Sequence, residues 1–302
     1  NLTKHCKANF SQIFMVYSDP EKEIDKAIKL PEKPFIDVTD DQGVQNIVYI
    51  IDDPDVISRV QDIMKDKTLL IADGHHRYET SIAYRDFRRE QEPDAPEDAP
   101  FNYVMSYYTN LDDENLIVYP THRIITRRID PYDLLEYIKE FFDIVEFTFD
   151  SVTKESTRER FIEELEKEAN SRIAMGLYLK NVNKFYLLKL RETEKANEIL
   201  ETKGIPDVLK KLDLTVLHKI IISDGLGFSE EDQMAQNGIK YIKKEDEAFE
   251  AIDNGKAEAV FVMASPKIKD IKDVSQAGYR MPQKSTYFYP KLLSGLVINP
   301  LD

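Results

Sequence analysis

The chain has 302 residues, with 41 Lys and Arg against 56 Asp and Glu, giving a formal charge of −15. Hydrophobic residues make up 42% and aromatic ones 10%, which excludes a wholly disordered chain and suits one large domain or two of ordinary size. The acidity excludes a nucleic-acid binder held by bulk charge, because a phosphate backbone needs a basic face, but it leaves room for a local basic pocket.

Phe10–Tyr17 reads as a strand, and Glu21–Leu30 as a helix with Ile24, Ala27 and Ile28 on one face. Two short strands, Phe35–Thr39 and Gln45–Ile51, flank the turn-rich Asp40-Asp41-Gln42-Gly43. Asp53-Pro54 has the residues of a helix start, a capping carboxylate followed by proline, and Val56, Ile57, Val60, Ile63 and Met64 form the stripe behind it. Leu69–Ala72 is a short buried strand that runs into Asp73-Gly74-His75-His76-Arg77 and then a helix to about Arg89. Glu90–Pro100 is a proline-rich acidic loop. Phe101–Tyr108 and Leu116–Tyr119 are expected to pair as a hairpin around Asn110–Asn115. A soft boundary falls near residue 130, dividing 1–130 from 131–302. Beyond it come a helix through Leu134–Phe142, a strand Ile144–Phe149 and a charged helix Ser156–Asn170. Next are a hairpin Ile173–Leu179 and Lys184–Leu190, a helix Leu209–Ile222, a strand Ala259–Ala264 and a helix Ile268–Gln276. The fold class is α+β.

Cys6 is the only cysteine, which excludes a disulfide framework and a Cys-rich zinc site. No apolar run reaches membrane-spanning length and no signal peptide opens the chain, so a soluble cytoplasmic protein with no membrane partner is expected. The chain opens on Asn1 and not Met, so a segment upstream is expected to have been removed.

The sharpest motif is Asp73-Gly74-His75-His76-Arg77. A helix start leaves backbone N–H groups unpaired and attracts anions, and glycine lets the backbone approach a ligand closely. Arg77 adds a planar fork suited to phosphate, and His75 and His76 add donors that can become cationic. Asp73 suits a divalent ion carried on that phosphate, or a hydroxyl nucleophile. The plainer reading is that Asp73 caps the helix and the histidines satisfy local bonds. Zinc on Asp73, His75, His76 and His122 is a weaker reading, because adjacent histidines point apart.

Tyr119-Pro120-Thr121-His122-Arg123 offers another His-Arg pair, either a solvated strand end or part of a ligand rim. His218 lies in an apolar stretch and reads as a satisfied core or boundary histidine. Lys284-Ser285-Thr286 can wrap a phosphate by ammonium, hydroxyls and N–H groups, although the glycine spacing of a Walker motif is absent. Taken alone, that segment reads as an aromatic strand, Tyr287–Tyr289, with Lys284 and Lys291 in water. A polyphosphate site in so acidic a chain needs every cation it can gather, which predicts Lys284-Ser285-Thr286 beside His75-His76, with His122 and Arg123 completing the rim.

Ile71–Arg77, Pro120–Arg123 and Met281–Lys291, in that order, resemble the signature stretches of the domain of unknown function 1015 family, as do Lys7–Ser11 and Leu214–His218. That family has no settled activity. Its Asp-Gly-His-His-Arg turn is similar to one in free-serine kinases of the ParB/sulfiredoxin superfamily, where the turn binds nucleotide phosphates. The resemblance implies a ParB/sulfiredoxin-like first half, and an N-terminal segment that family members carry ahead of the part seen here.

Together these readings predict a nucleotide-dependent phosphotransferase acting on a small hydroxylated metabolite such as serine. Asp73, His75 and His76 are the catalytic candidates. Gly74, His75, His76, Arg77, His122, Arg123, Lys284, Ser285 and Thr286 are the nucleotide-binding ones. Asp73 would hold Mg²⁺ or Mn²⁺. The nucleotide is a di- or triphosphate, with ADP, ATP and CTP not distinguished. The alternatives are a ParB-like nucleotide-binding regulator and a small-molecule phosphatase using His75 or His76.

Overall fold

The computed structural model describes residues 2–41, 43–282, 284, 285, 287–289 and 292–302. The fold is α+β. The chain divides into two compact units, one formed by the residues up to Ile117 with Phe288–Asp302, the other by Val118–Tyr287.

The first unit is built on a three-stranded sheet ordered Leu70–Asp73, Ile13–Tyr17, Ser106–Asn110. Ile13–Tyr17 is apolar at every position and buried at every position, as a strand covered on both faces should be. Leu70–Asp73 runs antiparallel to it, with Phe14 opposite Asp73 and a bulge between Phe14 and Met15. The expected hairpin of Phe101–Tyr108 with Leu116–Tyr119 does not form. Ser106–Asn110 pairs in parallel with Ile13–Tyr17, and Pro100–Asn102 is a short 3₁₀ turn that buries Phe101. The reason lies in Asn110, which is 4% exposed. Its Oδ1 accepts from the N–H groups of Asp19 at 2.9 Å and Asp112 at 3.0 Å, and its Nδ2 donates to the Asp19 carbonyl at 2.7 Å. The polar run is therefore fastened to the end of the central strand and does not reverse the chain.

Asp53 caps the helix Pro54–Met64 as its sequence suggests, accepting from Asp55 N–H at 2.9 Å. That helix buries no residue fully. The helix His75–Gln91 comes after Leu70–Asp73 with the single residue Gly74 between them.

The second unit holds a six-stranded antiparallel sheet ordered Ile239–Ile242, His122–Ile125, Ala259–Val262, Ala174–Leu179, Lys184–Leu190, Phe142–Thr148. The two-residue period sends neighbouring side chains to opposite faces: Met175 and Leu177 join one core, Ala174 and Tyr178 the other. One face carries Pro131–Lys139, Thr193–Thr202 and the helical run after Asp213; the other carries Lys154–Ser171 and Glu245–Asp253. A Cβ at Gly176 would run into the Phe161 ring, so only glycine lets that helix lie this close to the sheet.

The single helix expected over Leu209–Ile222 is three pieces: Asp207–Lys210, Asp213–Val216 and a π-helical Leu217–Gly225. Leu212, extended at φ −85° and ψ 131°, breaks the first from the second. The three consecutive isoleucines Ile220–Ile222 crowd an α-helical turn, and all are buried in the wider winding. No helix among the described residues is long and apolar enough to cross a membrane.

Candidate functional site

The turn after Leu70–Asp73 is set by Gly74, at φ 93° and ψ 26°. A Cβ there would meet the flexible end of Arg77, Nη2 at 2.7 Å and Nε at 2.8 Å, which can swing away, so it is the left-handed backbone that favours glycine. Arg77 folds back over its own turn, its Nη2 3.5 Å from Asp73 Oδ2. His76 is fully exposed, with Nδ1 3.4 Å from Glu79 Oε2, and His75 is half-buried. The N-cap residue, Gly74, has no side chain to cap the helix, and no acidic residue stands in the first turn. Its first internal bond runs from Tyr78 N–H to the Gly74 carbonyl at 3.0 Å. The N–H groups of His75, His76 and Arg77 have no acceptor within the helix and form the electropositive end of its 17 residues.

His122 and Arg123 are placed differently. They open the strand His122–Ile125 and are 2% and 0% exposed, inside the second unit. Burial first, then Arg123, pushes His122 down to about 4, so its imidazole is neutral. Its Nδ1 accepts from Met263 N–H at 3.2 Å. Arg123 donates from Nε to His218 Nε2 at 2.9 Å, from Nη1 to the Thr121 carbonyl, and from Nη2 to the Lys284 carbonyl at 3.0 Å. Burial lowers it to about 10, so it stays charged at neutral pH, and it lies 5.4 Å from the Tyr241 ring centroid. His218 is held at about 3 by burial and by Arg123. With no proton on Nε2, its Nδ1–H faces Gln233 Oε1 at 2.6 Å, and the ring stacks on Tyr241. The satisfied boundary histidine of the sequence is thus the partner of Arg123.

Lys284 is exposed and at φ 57°, while Ser285 is 3% exposed. Thr286 lies outside the described residues. Two of the three sequence motifs therefore meet within the second unit, where Thr121, Arg123 and Ser285 line one cleft of about 390 Å³. Asp213, Lys267 and Asp270 line it too. Sequence reasoning passed over these three, because each sits at or near a helix start where Asp and Lys are ordinary. No group of three or more His, Cys, Asp or Glu among the described residues is arranged to hold a metal ion.

The chain belongs to the family described as "Protein of unknown function (DUF1015)", whose model matches residues 1–215. No curated protein matches it. Among solved structures, a conserved hypothetical protein from Pyrococcus furiosus is similar at 14% identity and a TM-score of 0.43, over 99% of this chain and 84% of that one. A free serine kinase in complex with AMP is similar at 14% identity and a TM-score of 0.40, over 95% of this chain and 76% of that one. A variant of a free serine kinase in complex with ADP gives 13% identity and a TM-score of 0.41, with the same coverage of 95% and 76%.

Proposed function

We propose that the chain is a nucleotide-dependent phosphotransferase acting on a small hydroxylated metabolite, with Asp73–Arg77 as its phosphate cradle. One observation carries this: a helix start behind a left-handed glycine, with His75, His76 and Arg77 in its first turn in a −15 chain. Backbone N–H groups and the Arg77 fork bind phosphate oxygens, and His75 and His76 add donors to the same oxygens. Asp73 orients the acceptor hydroxyl by accepting its hydrogen bond. A single half-exposed carboxylate fits Mg²⁺ or Mn²⁺ only where phosphates complete the coordination, and there the ion would neutralise phosphate charge. Such catalysis is mostly positioning and charge neutralisation, for which this set of groups suffices.

The test is thermal shift with ADP, ATP and CTP, with and without Mg²⁺, on the wild type and on His75→Ala/Arg77→Ala. Ligand at about a hundred times Kd adds roughly 2.7 kcal/mol of apparent stability. The double variant is expected to lose that gain while its ligand-free midpoint stays put. Equal gains in both proteins overturn the cradle. Nucleotide consumption only when a small hydroxylated acceptor is present separates a transferase from a nucleotide-binding regulator. Phosphate release from a phospho-metabolite without nucleotide selects a phosphatase.

A further inference from the structure

The cleft of about 390 Å³ in the second unit is of a size for a small molecule, and its wall is oddly charged. Two carboxylates, Asp213 and Asp270, line it with five cations, Arg123, Arg172, Lys210, Lys211 and Lys267. Arg172 is paired with Glu168 and Lys210 with Asp207, while among the described residues Asp213, Asp270, Lys211, Lys267 and Arg123 form no ion pair. Lys267 Nζ reaches only the Asn170 carbonyl, at 3.4 Å. Asp213 Oδ1 accepts from Leu214 N–H at 2.6 Å, and the three donating nitrogens of Arg123 are taken by His218 and two carbonyls. Arg123 and Lys267 draw on Asp213, and Lys267 on Asp270, without closing an ion pair, so both carboxylates keep acceptor capacity for a further cation. Burial pushes Asp213 up to about 6, against the pull of Leu214 N–H and Arg123, and Asp270 adds to the rise.

A second observation is independent of the charges. Thr121 and Ser285 are 5% and 3% exposed and both line the cleft. Neither hydroxyl has a hydrogen-bond partner among the described residues. Both hydroxyls are therefore able to bond the polar atoms of a ligand in the cleft.

We propose that this cleft is a binding site for a small zwitterion of the amino-acid type. Its ammonium sits between Asp213 and Asp270, its carboxylate faces Lys267, and the Thr121 and Ser285 hydroxyls bond its polar atoms. Arg123 touches no ligand. It is a positioning residue that holds the Thr121 and Lys284 backbones, and so sets the two hydroxyls. The site uses no residue of Asp73–Arg77, so it stands or falls apart from the phosphate cradle.

The experiment is calorimetric titration of the full chain, without nucleotide, with each standard amino acid. Ethylamine serves as an ammonium without an acid, and propionate as an acid without an ammonium. At least one amino acid is expected to bind tenfold or more tightly than either half-ligand. Asp270→Asn should weaken that amino acid and ethylamine by tenfold or more and leave propionate unchanged. Lys267→Gln should weaken the amino acid and propionate and leave ethylamine unchanged. Asp213→Asn keeps an acceptor for Leu214 N–H and should behave as Asp270→Asn. Should it fail to fold, Asp270→Asn and Lys267→Gln still decide the matter. His75→Ala/Arg77→Ala should bind the amino acid as the wild type does. No amino acid binding, or binding unchanged in both Asp270→Asn and Lys267→Gln, overturns the site.

Discussion

The two units each carry a His-Arg step, His76-Arg77 in the first and His122-Arg123 in the second, and the same two residue types do opposite work. In the first, the step opens a helix at the surface, with the His76 side chain fully exposed and that of Arg77 43% exposed. Its side chains lie at the surface, Arg77 turned back towards Asp73 and His76 towards Glu79. In the second, the step opens a central strand and is 2% and 0% exposed. The donors of Arg123 reach His218, Thr121 and Lys284 of the same unit and fasten those segments together. Residue type therefore supplies the donors, while the element and its burial decide whether they stay at the surface or are taken up by the protein.

The comparison breaks most visibly at Arg123. Arg123→Ala leaves His218 Nε2 and the Thr121 and Lys284 carbonyls without their donor, and should cost about 3 kcal/mol or more in urea unfolding. Arg123→Lys should not recover it, because one ammonium cannot replace a planar fork reaching three acceptors. A loss under about 1 kcal/mol would mean the buried step fastens nothing.

Acid sharpens the contrast. His122 and His218 are held at about 4 and about 3, below the ordinary 6.5. As pH falls through 6.5 the unfolded chain takes up protons that the folded chain refuses, so stability drops towards those lower values. Asp213, raised from 3.8 to about 6, works the other way and offsets part of the loss in that window. His218→Gln should flatten the acid limb between pH 6.5 and 4 by about 1.4 kcal/mol per pH unit, read from urea midpoints across pH. An unchanged limb would show that His218 titrates as in water.

At the first unit the effects on stability are smaller. Gly74→Ala forces a side chain into the left-handed region and should cost about 1–2 kcal/mol. Adding Arg77→Ala should leave that backbone strain in place. Least of all, His75→Ala/Arg77→Ala should move the unfolding free energy by under about 0.5 kcal/mol. A large loss there would make the exposed step structural after all.

The strand, glycine and helix around Asp73–Arg77 were legible because each is punctuated locally: an apolar run, a residue able to take φ 93°, then helical spacing. The Asp53-Pro54 cap was legible for the same reason. The hairpin after Phe101 was misread because Asn110 bonds to Asp19, a partner 91 residues away that no local pattern announces. Leu209–Ile222 was misread because apolar spacing does not distinguish α from π winding. The burial of His122 and Arg123 was invisible, since Pro-Thr-His-Arg spells a solvated strand end equally well. Asp213, Lys267 and Asp270 form no motif. They become a group only when Asp213–Val216 and Ile268–Gln276 are folded against one cleft.

The π-helical winding of Leu217–Gly225 turns chain length into a marker. Leu226 N–H bonds back to the Ile221 carbonyl at 2.9 Å, five residues earlier, where an α-helix would reach back four. A related chain one residue shorter in this stretch would close it as an ordinary α-helix and rotate the residues beyond it by about 100°. The histidine at 218 and the Gln233 amide that orients it would then lose their shared register, and the arginine at 123 its acceptor. Relatives that align here with a one-residue gap should have replaced Arg123, His218 and Gln233 as a set, and relatives without the gap should have kept all three.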